Sequence, residues 1–412
     1  LENIKNPDFL ENLSYILLLI SFYFCIFGSP FLFFMIFSLV VFIIYFIRSG
    51  RYKDVSFSLH DYFLAAFLVS IIFSALFSKN TAYAWEGFGV FCFYVIIYMY
   101  FKLIPLDREK YKGIVIAISA ALIVCCGFAL IHYFIIRQDI ELSFFGKHLY
   151  TLEPATTFEN HPLNSIFQWP WRGGNLVFII MIFSLSFFIT KYRKLNKVEN
   201  SILAAAVIIS MLTLYLTYTR AAVVSLVIVL VLSFILTRKF IILYLIIAVA
   251  VFFLLFKGDK IMQTFQDPLN SPNVPSRLFQ YKEGLEIYSN NNNIVFGIGL
   301  LNFQVEFNNK FPGQYIYDQN SFIHNNYIAI LVETGVAGFA GFFGFLILLF
   351  ISVIRKKSCS MNPAVLNAVT FLSAFFVSSL YDAVLYSVPI GIFFWIIAGL
   401  SQNRDLEESY EK

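Results

Sequence analysis

The chain has 412 residues, of which 59% are hydrophobic and only 13% charged, with a net charge of +4. A soluble domain carries about 25% charged residues, so this balance excludes a soluble globular protein, and it is the reverse of what a disordered chain needs. The small net charge gives no ground for nucleic-acid binding, and the apolar runs are too many and too long for anything but one polytopic membrane domain over 1–412.

Windows of apolar residues long enough to cross a bilayer predict about 12 transmembrane helices, so the fold class is all-α. They lie at roughly 13–28, 30–47, 61–77, 85–104, 113–136, 172–190, 201–218, 221–236, 239–256, 325–354, 363–380 and 384–401. The first run, near Leu13, has no small-residue cleavage pattern after it, so a cleavable signal peptide is not expected. The five cysteines (Cys25, Cys92, Cys125, Cys126 and Cys359) form no C-x-x-C pair, and they read as packing residues rather than a zinc site or disulfide framework.

Basic residues fix an orientation. With the N-terminus in the cytoplasm, 19 of the 29 Lys and Arg residues fall on the cytoplasmic side, among them Arg48, Lys102, Lys112, Lys191, Arg238 and Arg355. Two extracytoplasmic loops then stand out. The smaller, 137–171, holds His148, Glu153, Glu159, His161 and a Trp169-Pro170-Trp171 cluster. The larger, 257–323, is long enough to be functional. Within it, Ser276 reads as an N-cap, and Leu278, Tyr281, Leu285 and Tyr288 recur at helical spacing, which predicts an amphipathic helix over 277–289. Gly297-Ile298-Gly299 marks a turn.

The residues able to carry chemistry cluster at the outer boundary. Arg220 lies between two apolar runs, where an arginine costs roughly 2.5–3.5 kcal/mol unless paired or facing water. It reads either as a snorkelling helix-end residue or as an anion ligand, and no acidic residue is near it in sequence. Arg277 is either a solvated charge or a partner for phosphate, whose oxygens the guanidinium fork matches. His324 opens the tenth span with Asn325 beside it, either as a structural histidine or as a base near neutral pH. Lys79 and Arg172 are solvated turn residues or accessory anion contacts. Gly335, Gly338, Gly341 and Gly344 supply small residues for close helix contact. Glu333 and Asp382 read as helix-contact or polar-lining groups. No Asp-x-Asp pair is present to hold a metal-bridged sugar nucleotide, so neither a metal nor a cofactor is expected.

Three segments in order resemble the bacterial O-antigen ligase and O-antigen polymerase superfamily. They are Thr217-Tyr218-Thr219-Arg220-Ala221-Ala222; Ser276-Arg277-Leu278 followed by Gly297-Ile298-Gly299-Leu300-Leu301-Asn302-Phe303; and His324-Asn325, nine residues, Gly335, two residues, Gly338. The last is similar to the ligase signature H-[NSQ]-x9-G-x-x-[GTY], which polymerases often share. The Ser74–Ser78 element and the layout agree; the motifs cover the C-terminal half and the first five spans match by layout alone.

The resemblance implies a metal-independent, inverting glycosyltransferase of the bacterial inner membrane that takes a glycan from undecaprenyl pyrophosphate at the periplasmic face. The acceptor would be lipid A–core for a ligase or another lipid-linked glycan for a polymerase, and the signature favours ligase. It further implies that Arg220 and Arg277 bind the pyrophosphate and that His324 is the base; Lys79, Arg172 and Asn325 are accessory candidates from their own positions in the sequence. A lipid-linked glycan flippase or transporter is the remote alternative. Such a protein would often show an internal repeat and ionisable groups deep in several spans; no repeat is found, and the candidates here cluster at one interface.

Overall fold

The computed structural model describes residues 6–23, 29–144, 147–152, 163, 170–191, 195–217, 219–238, 242, 273–291, 293–311, 323–356 and 362–411. The helices are α1 (Pro7–Tyr23), α2 (Ser29–Arg48), α3 (Leu59–Phe77), α4 (Thr81–Leu103), α5 (Arg108–Ile131), α6 (Pro170–Lys191), α7 (Lys197–Leu216), α8 (Arg220–Thr237), α9 (Asn273–Ser289), α10 (Phe303–Lys310), α11 (Asn326–Ile354), α12 (Pro363–Ser378), α13 (Val388–Ser401) and α14 (Arg404–Glu411). Six stretches are long and apolar enough to cross a membrane: α3, α4, α5 with its π-helical extension to Ile136, α7, α11, and Gly174–Lys191 of α6. Four more apolar helices, within α2, α8, α12 and α13, are shorter. Helices occupy eleven of the twelve expected spans; the expected span 239–256 lies outside the described residues except for Ile242.

One departure from an all-α fold occurs in the smaller loop. Strands β1 (Ile140–Phe144) and β2 (Lys147–Leu152) form an antiparallel hairpin. Hydropathy windows sized for membrane spans do not register strands of five or six residues.

The core is aromatic, as the 51 phenylalanines require. Trp395 of α13 stacks on Phe345 of α11 at 5.4 Å and meets Tyr98 of α4 edge-on at 6.1 Å. Helices α3 and α11 run antiparallel along the glycine stripe. A Cβ at Gly341 would lie 2.9 Å from the Phe67 backbone, and one at Gly344 would strike the Phe63 ring. Here the small residues do what spacing suggests, letting two helices approach closely.

This pairing defines two ends of the bundle. At the Leu59 end of α3, Asp61 pairs with Lys102 at 2.7 Å and Arg51 pairs with Asp405 at 2.6 Å. At the Phe77 end lie Ser78, the N-terminus of α11 and the residues that follow α9.

Gly335 does not belong to the stripe. It takes φ 68, ψ −173 and breaks α11. A residue with these dihedrals interrupts the regular helical bonds that span it. In their place the loop supplies both partners: Val336 and Ala337 N–H donate to the carbonyls of Ile294 and Val295 (3.2 and 3.0 Å), while Ile298 and Gly299 N–H donate to those of Val332 and Glu333 (3.1 and 2.9 Å). Buried backbone groups must be satisfied, and in an apolar bundle a broken helix survives only when something replaces its bonds. Close approach requires glycine on both sides: a Cβ on Gly335 would lie 2.3 Å from Val295 O, and one on Gly297 (φ 71) 2.6 Å from Gly335 N.

Gly335→Val adds a β-branched residue at positive φ, a strain of about 1–3 kcal/mol before the clash is counted. Thermal unfolding of the purified protein in detergent should show a larger fall in Tm for Gly335→Val than for Gly338→Ala, whose new methyl meets mainly the Thr334 side chain. Equal Tm values would mean that the loop does not thread the break.

Candidate functional site

The first turn of α11 is stitched to the end of α12. Asn326 N–H donates to Ser379 O (2.9 Å), its Nδ2 to Ser379 Oγ (2.9 Å), Asn325 Nδ2 to Leu380 O (3.2 Å) and Tyr327 hydroxyl to Phe376 O (2.9 Å). Asn325, read above as a possible accessory residue, is the N-cap of α11, its Oδ1 accepting from Tyr327 and Ile328 N–H. The helix thus begins at Asn326, and His324, expected to open the span, stands just before it.

This stitching sets His324 against Asp382, which follows α12. His324 Nδ1 lies 3.4 Å from Asp382 Oδ1. Arg277 Nη2 reaches the same oxygen at 3.3 Å, and Asn175 Nδ2 of α6 reaches Oδ2 at 3.3 Å. The Asp382 side chain is 3% exposed, so its carboxylate is removed from water and depends on these groups. Arg277, a solvated charge or a phosphate partner by sequence, has its acidic partner 105 residues away. The arginine remains 32% exposed, leaving the rest of its fork able to meet a ligand, while His324 is 18% exposed.

Helix α9 begins at Asn273, so Ser276 lies within its first turn instead of capping it. Tyr281, one turn after Arg277, donates its hydroxyl to His324 O. Burial pushes that hydroxyl above its ordinary pKa, which keeps it a donor. Lys310 at the end of α10 grips Glu283 and Glu286 of α9, each at 2.7 Å.

Arg220 is the first residue of α8, after the N-cap Thr219. A Cβ on Gly174 would lie 2.1 Å from Thr219 Oγ1, and the next residue, Asn175, touches Asp382. Ser225 bonds Ser378 at 2.7 Å, again just before Asp382. The start of α8 therefore sits at the same end of the bundle as the Asp382 cluster. The side chains of Arg220 and Arg172 lie outside the described residues; Arg172 is placed in the first turn of α6. Lys79 is 78% exposed, 3.8 Å from Glu306. Among the described residues no group of three or more His, Cys, Asp or Glu could hold a metal ion.

Asn175 is a contributor that sequence reasoning missed, and Asp382, read there as a helix-contact or lining group, turns out to be the centre of the cluster. The available signal was a lone acid between two apolar runs, which is costly unless partnered.

What these elements define is a multi-pass helical membrane protein whose histidine, carboxylate and arginine meet at one end of the bundle. A family model described as O-antigen ligase matches residues 204–343, which span most of α7, all of α8 to α10 and the first part of α11. That segment, which carries Arg220, Arg277 and His324, is similar to the O-antigen ligase family. No curated protein matches the chain.

Asp382→Asn removes the charge that holds Arg277. Hydrogen exchange across 273–289 should rise on the order of tenfold, the worth of a charge-assisted bond, while α3 is unchanged. Unaltered exchange in α9 would show that Asp382 does not anchor that helix.

Proposed function

We propose that this protein transfers a glycan from undecaprenyl pyrophosphate to a sugar hydroxyl at the periplasmic face of the bacterial inner membrane, acting as an O-antigen ligase with lipid A–core as acceptor. The observation that carries this reading is the convergence of His324 and Arg277 on one buried carboxylate oxygen of Asp382. The family match and the apolar helices support it, as does the cytoplasmic bias of the basic residues, which puts the cluster on the outer side. In this topology the chain crosses the membrane twelve times, and 137–171 and 257–323 are the periplasmic loops.

The chemistry follows from the groups present. With Asp382 Oδ1 3.4 Å from Nδ1 of His324, the tautomer protonated on Nδ1 is the one favoured, and it leaves the lone pair on Nε2. Nε2 takes the proton of the acceptor hydroxyl as its oxygen attacks the anomeric carbon. The bond from that carbon to the pyrophosphate breaks, its electron pair leaves with the phosphate oxygen, and the configuration inverts. Arg277, with Arg220 entering from the start of α8, neutralises the charge that develops. The leaving group is already a good one, and fixed arginines take the place of a cation.

With purified protein in detergent, lipid-linked glycan as donor and lipid A–core as acceptor, His324→Ala should lower the rate about 10²–10⁴-fold while the protein stays folded. Arg277→Lys should rescue poorly, because the ammonium keeps the charge and loses the fork. Near-wild-type rates for His324→Ala would remove it from the base role. Transfer without a sealed compartment also separates this reading from a flippase.

The same cluster would serve a repeat-unit polymerase, and the acceptor distinguishes the two. A strain lacking the protein should accumulate long undecaprenyl-linked polymer and make lipopolysaccharide with bare core. Single repeats capped on core in the glycan ladder would instead make it a polymerase.

A further inference from the structure

Glu333 lies at the break in α11, is 2% exposed, and has no ion-pair partner among the described residues. A carboxylate buried in this way is expensive unless its oxygens are hydrogen-bonded. Both are. Oε1 accepts from Phe303 N–H at 3.2 Å and Oε2 from the Tyr386 hydroxyl at 2.6 Å. Its backbone carbonyl accepts from Gly299 N–H at 2.9 Å and from Ser74 Oγ at 2.7 Å. One residue thus touches α3, the loop, and the short helix that follows Asp382.

Two of these contacts, together with the helix Glu333 sits on, lead to the three members of the cluster. Glu333 is on the helix that His324 precedes. Phe303 opens α10, which Lys310 clamps to the helix bearing Arg277. Tyr386 closes the 3-10 turn Val384–Tyr386, four residues after Asp382. We propose that Glu333 is the positioning residue of the site: by accepting from Phe303 and Tyr386 together it sets the register of Arg277 and Asp382 against His324. It does not touch substrate. A leucine at this position would fill similar space, and a glutamine could keep both contacts, with its oxygen accepting from Phe303 N–H and its amide donating to the Tyr386 hydroxyl oxygen.

The inference deepens the glycosyl-transfer reading and rests on it for its kinetic arm. Glu333→Leu should lower kcat by roughly 10²-fold, the cost of a displacement of about 1 Å at a reacting centre, with a smaller change in KM for the lipid-linked donor. Glu333→Gln should restore kcat to within a few-fold of wild type. Tyr386→Phe, which removes one contact and no bulk, should lower kcat by less than Glu333→Leu and loosen only the 383–386 segment in hydrogen exchange. A wild-type kcat in Glu333→Leu would overturn the proposal. So would a glutamine variant as impaired as the leucine variant, which would mean that the charge itself takes part in the chemistry. Hydrogen exchange over 296–311 and 383–386, raised in Glu333→Leu and restored in Glu333→Gln, reads the positioning without any substrate. If the wild-type protein transfers no glycan, the functional reading fails while this arm still decides the role of Glu333: unchanged exchange in Glu333→Leu would refute it.

Discussion

The trade of backbone hydrogen bonds between the loop and the break in α11 is the constraint on which the rest of the structure depends. Two helical donors and two helical acceptors are handed from the helix to residues 294–299. In water such an exchange would be nearly neutral, because solvent could satisfy either side. Inside an apolar bundle no such substitute exists. The loop is therefore part of the helix's own bonding, and its glycines are there because backbone must touch backbone. Asn302 extends the attachment, donating to Ser78 Oγ at 2.6 Å at the end of α3.

Asp382 is the electrostatic counterpart of that joint. A carboxylate this deeply buried requires donors around it, and the fold brings them from α6, α9 and the start of α11. The result orders a histidine and an arginine about a single oxygen, yet leaves part of the guanidinium exposed. Asparagine chemistry does much of the placing. Asn325 caps α11, Asn326 ties it to Ser379, and Asn175 holds the far oxygen of Asp382.

Much of this was legible in the sequence, for a physical reason. Bilayer thickness imposes a length on apolar runs, so helices appear close to where hydropathy puts them, and α3 and α11 differ from their expected bounds by no more than two residues. His324 and Arg277 were visible as polar groups at an apolar boundary. What could not be read was anything defined by pairing across the chain. Asp382 has no local partner, so it looked like a lining residue. Gly335 sits in register with three genuine contact glycines, and spacing alone assigns it their role; only its φ of 68° sets it apart. The hairpin Ile140–Leu152 was missed because its strands are shorter than any span window.

The sequence separations around Asp382 bear on how the protein is made. Its partners lie 207 residues upstream at Asn175 and 105 upstream at Arg277. A chain emerging from the ribosome N-terminus first holds the arginine and the histidine long before it holds the carboxylate. The loop and α11, by contrast, are close enough in sequence to meet as soon as both exist. The joint at Gly335 can therefore form early, while the charge cluster closes only once α12 has packed and carried Asp382 to the same end. Until that moment the nascent protein has a histidine and an arginine without the carboxylate that orders them, so assembly of the last helices is what completes the cluster.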